Sequence, residues 1–379
     1  MKKIICAQSL LNAKEIFSTI GNVEIIDDHL ITHHHLQDAH ALIVRSQTQV
    51  NANLLKDSTI EFVGTATSGT EHLDLNYLEK KQIAYADAKG VNANAVAEHV
   101  LQSILIWANA QQRQLQDLTI GIIGYGFVGK RLHQQLKPFV KCILINDPPL
   151  FSIDKSFNHV TLQTITQQAD VVSVHVPLIY GTTYPTYHLL NQPFFTQCQK
   201  KPLIVNVARG DVVDYDALLH ALSQQSISDF IADVWPKEPY INPAFINAAF
   251  LATPHIAGHS QYAKIMGTYV IYKALTAYWQ CEKVLTTDEL KKMIRKIKLS
   301  QVYQEENLQK QLMHLLAQLY PLQKISQSMK LNLQQPEHFV QNYQILRQQA
   351  AQRCELNQVL LPAQAISVKL HLMHLDREY

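Results

Sequence analysis

Six short apolar segments in the middle of the chain constrain its fold more than any other feature. They are Thr119–Ile123, Cys142–Asn146, Val171–His175, Leu203–Val207, Asp229–Asp233 and Phe250–Thr253, rich in β-branched residues and without strict alternation. Strands of this kind are buried on both faces, as in a parallel sheet covered by helices. Helical patterns over Val128–Leu136 and Tyr215–Leu222 lie between them. The alternation predicts a Rossmann-type, doubly wound α/β domain.

A second α/β pattern precedes it. Lys3–Ala7, Ala41–Arg45 and Ile60–Gly64 read as strands, and Ala13–Ile20 and Leu73–Lys80 as helices. From about Asn94 to Asn109, Val96, Ala97, Val100, Leu101, Ile104, Leu105 and Ala108 recur at helical spacing and predict a long helix packed on one face. Such a helix joins two domains and leaves a cleft between them. After about residue 285 the chain turns Gln-rich. Asp288–Lys298, Glu305–Tyr320 and Pro336–Cys354 read as helices, and Ile366–Leu372 alternates as a half-buried strand, giving a small C-terminal α+β domain. The expected division is a flavodoxin-like substrate-binding domain (1–94 and 257–285), a dinucleotide-binding domain (95–256) and the C-terminal domain (286–379).

With 33 basic and 31 acidic residues in 379, the chain has no charge imbalance that would suit nucleic acid or an anionic membrane. No stretch is long and apolar enough to span a bilayer, and the start of the chain is too weakly apolar for a signal peptide. Five scattered cysteines without clip spacing fit a reducing, cytoplasmic compartment. The triplet His33-His34-His35 has no carboxylate or cysteine partners nearby, so it reads as a solvated loop and no metal site is expected.

The first of the six strands runs into Gly124-Tyr125-Gly126-Phe127-Val128-Gly129, which opens a helix. Gly124 permits a tight turn, Gly126 lets backbone approach a pyrophosphate, and Gly129 allows close helix–strand packing. The N–H groups and positive dipole end of the helix then face the phosphates. Asp147, at the end of the next strand, can accept from both ribose hydroxyls and repels a 2′-phosphate. No Arg follows it in Asn146-Asp147-Pro148-Pro149, so NAD is the expected cofactor.

Ligands of open α/β sheets collect at the carboxyl ends of the strands. Arg209, Glu238 and His255 follow the fourth, fifth and sixth of them. Oxidising a secondary alcohol requires a base for the hydroxyl proton as hydride leaves carbon, and histidine titrates in the right range. Glu238 would orient the imidazole and stabilise its cation; Arg209 would grip a carboxylate and polarise the C2 oxygen. Taken singly, each has a plainer reading: a surface ion pair, a solvated acid, and one of 18 histidines at a core edge. Their shared placement favours the catalytic one.

In its glycine motif, Asn206-Val207-Ala208-Arg209-Gly210, Asp233-Val234…Glu238-Pro239 and Pro254-His255-Ile256-Ala257-Gly258, the chain resembles the D-isomer-specific 2-hydroxyacid dehydrogenases. Val44-Arg45-Ser46-Gln47-Thr48, Gly64 to His72 and Asp147-Pro148-Pro149 resemble a branch acting on a phosphorylated 2-hydroxy acid. The resemblance implies catalytic Arg209, Glu238 and His255. It implies NAD contacts from Gly124, Gly126, Phe127, Val128, Gly129, Asp147, Asp233 and Gly258, and substrate contacts from Ser46 and Thr67. It also implies a homodimer, joined through the C-terminal domain. Two positions depart from the family pattern. His259 stands where a substrate-contacting Tyr is usual and is expected still to bind substrate by donating to its phosphate, and Val176, where a cofactor-contacting Thr is usual, is expected to meet the cofactor through its backbone. Candidate cations for a phosphate are Arg45 and Arg347, the latter reaching across a dimer. Two alternatives stay open: another enzyme of the group, such as 3-phosphoglycerate dehydrogenase or a glyoxylate reductase, and a non-catalytic protein that senses the dinucleotide.

Overall fold

The computed structural model describes residues 1–299 and 307–360. Its contacts divide the chain into two compact units, Met1–Asn92 with Ser260–Lys296, and Ala93–His259 with the described residues from Ile297 to Leu360. The expected strand at Ile366–Leu372 lies outside the described residues.

The first unit carries five parallel strands, β1 (Lys3–Ala7), β2 (Asn22–Ile26), β3 (Ala41–Val44), β4 (Phe62–Thr65) and β5 (Ala84–Asp87), in the order β2-β1-β3-β4-β5. This is the flavodoxin-like order. The central strands β3 and β4 are buried throughout, and the helix Gln261–Tyr278 packs on them, with Ile271 against Gly64. A Cβ on Gly64 would lie 2.2 Å from an Ile271 methyl, so glycine is what lets this helix seat. Strands β2 and β5 carry no clear sequence signal: Asn22–Ile26 is mostly exposed and broken by Glu24, and Ala84–Asp87 is only partly covered and ends on Asp87. The histidine triplet is not the loop expected. Its three residues lead a single turn of helix, His33–Leu36, in which His35 closes a capping box with Thr32. No group of three or more His, Cys, Asp or Glu among the described residues is arranged to hold a metal.

The second unit is the six-stranded parallel sheet: β6 (Thr119–Ile123), β7 (Cys142–Asn146), β8 (Val171–Val174), β9 (Leu203–Asn206), β10 (Asp229–Ala232) and β11 (Leu251–Ala252). The order β11-β10-β9-β8-β6-β7 places the reversal of winding between β6 and β8. That point is where an open sheet leaves a crevice. The doubly wound parallel architecture is therefore the one the six apolar segments imply.

The helix Ala93–Ala110 is buried over nearly its whole length, because it is covered from two sides. The sheet covers one side; Leu312, Leu315, Leu316 and Tyr320 of the C-terminal segment join the same core. Met329, Phe339 and Tyr343 enter the core on the other side of the sheet. The C-terminal helices Leu308–Leu319, Leu322–Leu331 and Phe339–Ala350 thus group with the dinucleotide-type unit rather than standing apart, while Lys296 and the residues just before it group with the first. A short parallel pair, β12 (Ile297–Lys298) with β13 (Val359–Leu360), ties the two ends of this segment together. Among the described residues no helix is long and apolar enough to cross a membrane.

Candidate active site

The glycine turn is built as its spacing requires. Gly124 has φ +92°, and a Cβ there would lie 2.8 Å from the carbonyl of His175 and from Val176. Those two residues follow β8, so the turn closes against the strand across the switch point. Val176 has an apolar side chain packed on the glycine, so any hydrogen bond it makes to a cofactor is through its backbone. Gly129 brings the helix Phe127–Leu136 onto the strand: a Cβ would fall 2.1 Å from the Gly124 carbonyl oxygen. Gly126 differs, since a Cβ on it would meet nothing within 4 Å. The protein's own packing does not require glycine there, but a ligand lying against the backbone would. Gly126 caps the helix with no side-chain hydrogen bond, which leaves the first-turn N–H groups of Phe127, Val128 and Gly129 to an anion. Phe127 is exposed and Val128 half-buried at this end. These residues fit a dinucleotide pyrophosphate.

Asp147 secures the turn from β7. One carboxylate oxygen accepts from the Tyr125 N–H at 2.7 Å and the other from the Leu150 N–H at 2.9 Å, capping the helix Pro148–Ile153. Each oxygen retains a second lone pair, so the carboxylate can also accept from ribose hydroxyls.

Arg209, Glu238 and His255 come from three neighbouring strand ends. After β9, the Asn206 side chain accepts from the Ala208 N–H and donates to the Arg209 carbonyl, turning the chain so that Arg209 emerges half-buried. The turn leans on the next loop, because a Cβ on Gly210 would lie 2.2 Å from the Trp235 carbonyl. Within that loop Glu238 Oε1 accepts from the Trp235 N–H at 2.6 Å, and Oε2 meets His255 Nδ1 at 2.8 Å. A carboxylate only accepts, so Nδ1 carries the proton and Nε2 is the basic nitrogen of the neutral ring.

His255 has φ +55°, a left-handed conformation unfavourable for a residue with a Cβ by about 1 kcal/mol or more. Asp233 holds it there. Its buried carboxylate accepts from Thr253 Oγ1 at 2.6 Å and from the N–H groups of Ile256 and Ala257 at 2.8 Å, while its carbonyl accepts from the His255 N–H. Asp233 therefore organises the loop of His255 directly. Burial raises the carboxyl's pKa, yet the nearby His99 and His255 and these hydrogen bonds outweigh it, and the net shift is downward. For His255 burial of the ring lowers the pKa, but Glu238 and then Asp233 outweigh burial and the cation Arg347, and the net shift is upward.

Two residues with no distinguishing sequence signal support this pair. Tyr343, on the helix Phe339–Ala350, donates its hydroxyl to Glu238 Oε2 at 3.1 Å. Buried Arg353 donates to the carbonyls of Ala257 and His259 at 2.6 Å and to that of Ala95 at 2.7 Å. It thereby clamps the segment that includes Gly258 and His259. Arg347 lies in the same unit as His255, with its guanidinium 5.9 Å from the Tyr343 ring centre.

The first unit holds the other expected residues. Ser46 is exposed just after β3. Thr67 follows β4, and its hydroxyl belongs to a chain with Thr65 Oγ1 at 2.7 Å and His72 Nε2 beyond it at 2.9 Å, while also bonding the Gly69 carbonyl. Arg45 donates to the Ala66 carbonyl at 3.1 Å.

The family model described as "D-isomer specific 2-hydroxyacid dehydrogenase, NAD binding domain" matches residues 95–257, the stretch that carries the glycine turn and the three strand-end residues. The fold agrees with solved structures. 3-Phosphoglycerate dehydrogenase of Entamoeba histolytica superposes at a TM-score of 0.61 with 22% identity, over 75% of this chain and 97% of that one. D-lactate dehydrogenase of Aquifex aeolicus gives 0.58 and 22%, over 74% and 96%. Fold and site together define an NAD-dependent oxidoreductase of the D-2-hydroxyacid dehydrogenase class. Curated sequences narrow this further. Erythronate-4-phosphate dehydrogenase of Acinetobacter baumannii is 37% identical over 79% of this chain and 87% of its own, and that of Pseudoalteromonas atlantica 36% identical over 92% and 94%. The chain belongs to the erythronate-4-phosphate dehydrogenase family.

Proposed function

We propose that the chain oxidises 4-phospho-D-erythronate at C2 to 3-hydroxy-2-oxo-4-phosphooxybutanoate, a step of pyridoxal 5′-phosphate (vitamin B6) biosynthesis, with His255 as the base. The observation that carries the chemistry is the 2.8 Å contact of His255 Nδ1 with Glu238 at the carboxyl end of the sheet that bears the glycine turn. Bound NAD would supply the acceptor for the hydride that leaves C2. Gly126 and the first-turn N–H groups of the following helix would hold its pyrophosphate, and Asp147 its ribose.

His255 Nε2 takes the proton from the C2 hydroxyl. As the ring gains charge, Glu238 stabilises it across the Nδ1–H bond, and the raised pKa reflects that stabilisation. Arg209 pairs with the substrate carboxylate and draws electron density from the C2 oxygen. Ser46, Thr67 and His259 act on the substrate as further hydrogen-bonding groups. Arg347 supplies positive charge for the phosphate, with Arg45 as the second candidate. The remaining expectations, a homodimer formed through the C-terminal segment and a cytoplasmic setting, complete this reading.

The test is a substrate panel followed at the NADH absorbance band. Turnover of 4-phospho-D-erythronate well above that of 3-phosphoglycerate and glycolate supports the assignment. Preference for 3-phosphoglycerate moves it to the nearest rival. Tight NAD binding without turnover of any 2-hydroxy acid assigns the chain to a sensing role.

A further inference from the structure

The carboxylate oxygen that meets His255 has a second partner, contributed from 105 residues further along the chain. Tyr343 is 1% exposed, and its hydroxyl reaches Glu238 Oε2, the same oxygen that accepts from His255. The remaining oxygen, Oε1, is held by the Trp235 N–H. Glu238 is therefore fixed at both ends, and the buried phenol competes with the imidazole for one of them. Solved dehydrogenases of this fold match nearly all of their own length to about three-quarters of this chain, so a further quarter of it has no counterpart in them.

We propose that Tyr343 is a positioning residue of the dehydrogenase reaction, which sets through Glu238 how strongly the His255 imidazolium is held. The inference rests on the reading of His255 as the base. A donor on Oε2 withdraws negative charge from the oxygen that stabilises the imidazolium, because a second hydrogen bond, on the oxygen's other lone pair, polarises electron density away from the ring. Tyr343 thus opposes Glu238 and keeps His255 able to release its proton. Too strong a pairing would leave the ring protonated and useless as a base at working pH. The other charged groups acting on the ring are Asp233, which favours its protonated form, and Arg347, which disfavours it from the same helix one turn beyond Tyr343. Arg353 fixes the far end of this arrangement by its bonds to the Ala257 and His259 carbonyls. Burial and the neighbouring Glu238 charge push the Tyr343 phenol well above its ordinary pKa, so it remains a proton donor throughout the working range.

The experiment is an NMR titration of the His255 ring in the NAD-free, full-length protein, with the resonance assigned by its loss in His255→Gln. Tyr343→Phe removes one oxygen atom, and the His255 midpoint is expected to rise. 3-Fluorotyrosine incorporated at position 343 makes a stronger donor in the same space, and the midpoint is expected to fall. In a Glu238→Gln background, Tyr343→Phe is expected to leave the midpoint where Glu238→Gln alone puts it. A midpoint that stays still, or moves the other way, in either position-343 variant overturns the proposal. So does an undiminished Tyr343 effect in the Glu238→Gln background. The titration requires no turnover, so an inactive wild-type protein would defeat the proposed function and leave this readout standing.

Discussion

The glycine turn makes a prediction in which one small substitution separates folding from cofactor binding. At Gly129 an added methyl would sit 2.1 Å from the Gly124 carbonyl oxygen, about an ångström inside the 3.0 Å that real contacts respect, and the atom it meets is backbone. The helix must then move off the strand, and overpacking of this kind costs roughly 1–3 kcal/mol. For a unit of this size each kcal/mol lowers the melting temperature by about 2–4 °C, so Gly129→Ala should melt roughly 2–12 °C lower. At Gly126 the same methyl meets nothing within 4 Å, and the backbone, at φ −76° and ψ −153°, is extended and open to any residue. Gly126→Ala should melt within about 2 °C of the parent, because no named destabilising mechanism applies to it. Its methyl nevertheless occupies the approach of the pyrophosphate, and the Kd for NAD should rise at least about tenfold, some 1.4 kcal/mol. Scanning fluorimetry without NAD and calorimetric titration with it read the two effects separately. Equal destabilisation by both substitutions, or unchanged NAD affinity in Gly126→Ala, would refute the reasoning.

Replacing His255 with Gln should lower kcat by about 10²–10⁴-fold while the Kd for NAD changes little; near-normal turnover would remove it as the base. The raised pKa of His255 makes the neutral ring available only above that pKa, so the oxidation rate should fall as pH drops through it, and the reverse reaction should show the opposite limb. Glu238→Gln removes the charge that raises this pKa. The acidic limb should move to lower pH while kcat falls, as a kcat–pH profile would register. Arg347→Ala should raise KM for a phosphorylated substrate with little change in NAD affinity, and an unchanged KM would exclude it from phosphate binding.

How much of this was legible in the sequence depended on whether the signal was local. The bounds of β6 and of the long helix are readable because burial leaves unbroken apolar runs, and those of the edge strand β7 because Ile143, Leu144 and Ile145 stay apolar although the first two are only partly covered. The edge strands β2 and β5 are not, since water or solvent-facing polar side chains cover part of them and their apolar content is diluted. The three glycines of the turn were separable by role from spacing alone. Gly210 stood in plain view beside Arg209, but its need for close approach to Trp235 is a contact between loops that no spacing encodes. Asp233 carried a signal for its position at a strand end and none for its grip on the N–H groups of Ile256 and Ala257. Tyr343 and Arg353 lie in a Gln-rich segment where a buried aromatic and a long cation look like ordinary helix-face residues. Only the fold brings them to Glu238 and to the loop of His255.

The central claim is oxidation of a phosphorylated 2-hydroxy acid at C2 by NAD, with His255 as base. It is tested most directly by the initial rate of NADH formation from 4-phospho-D-erythronate and from 3-phosphoglycerate, measured side by side for the parent chain and for His255→Gln. The account predicts a clear preference of the parent for 4-phospho-D-erythronate, abolished by the substitution. A parent that prefers 3-phosphoglycerate, or a His255→Gln variant that turns over 4-phospho-D-erythronate as fast as the parent, would contradict it.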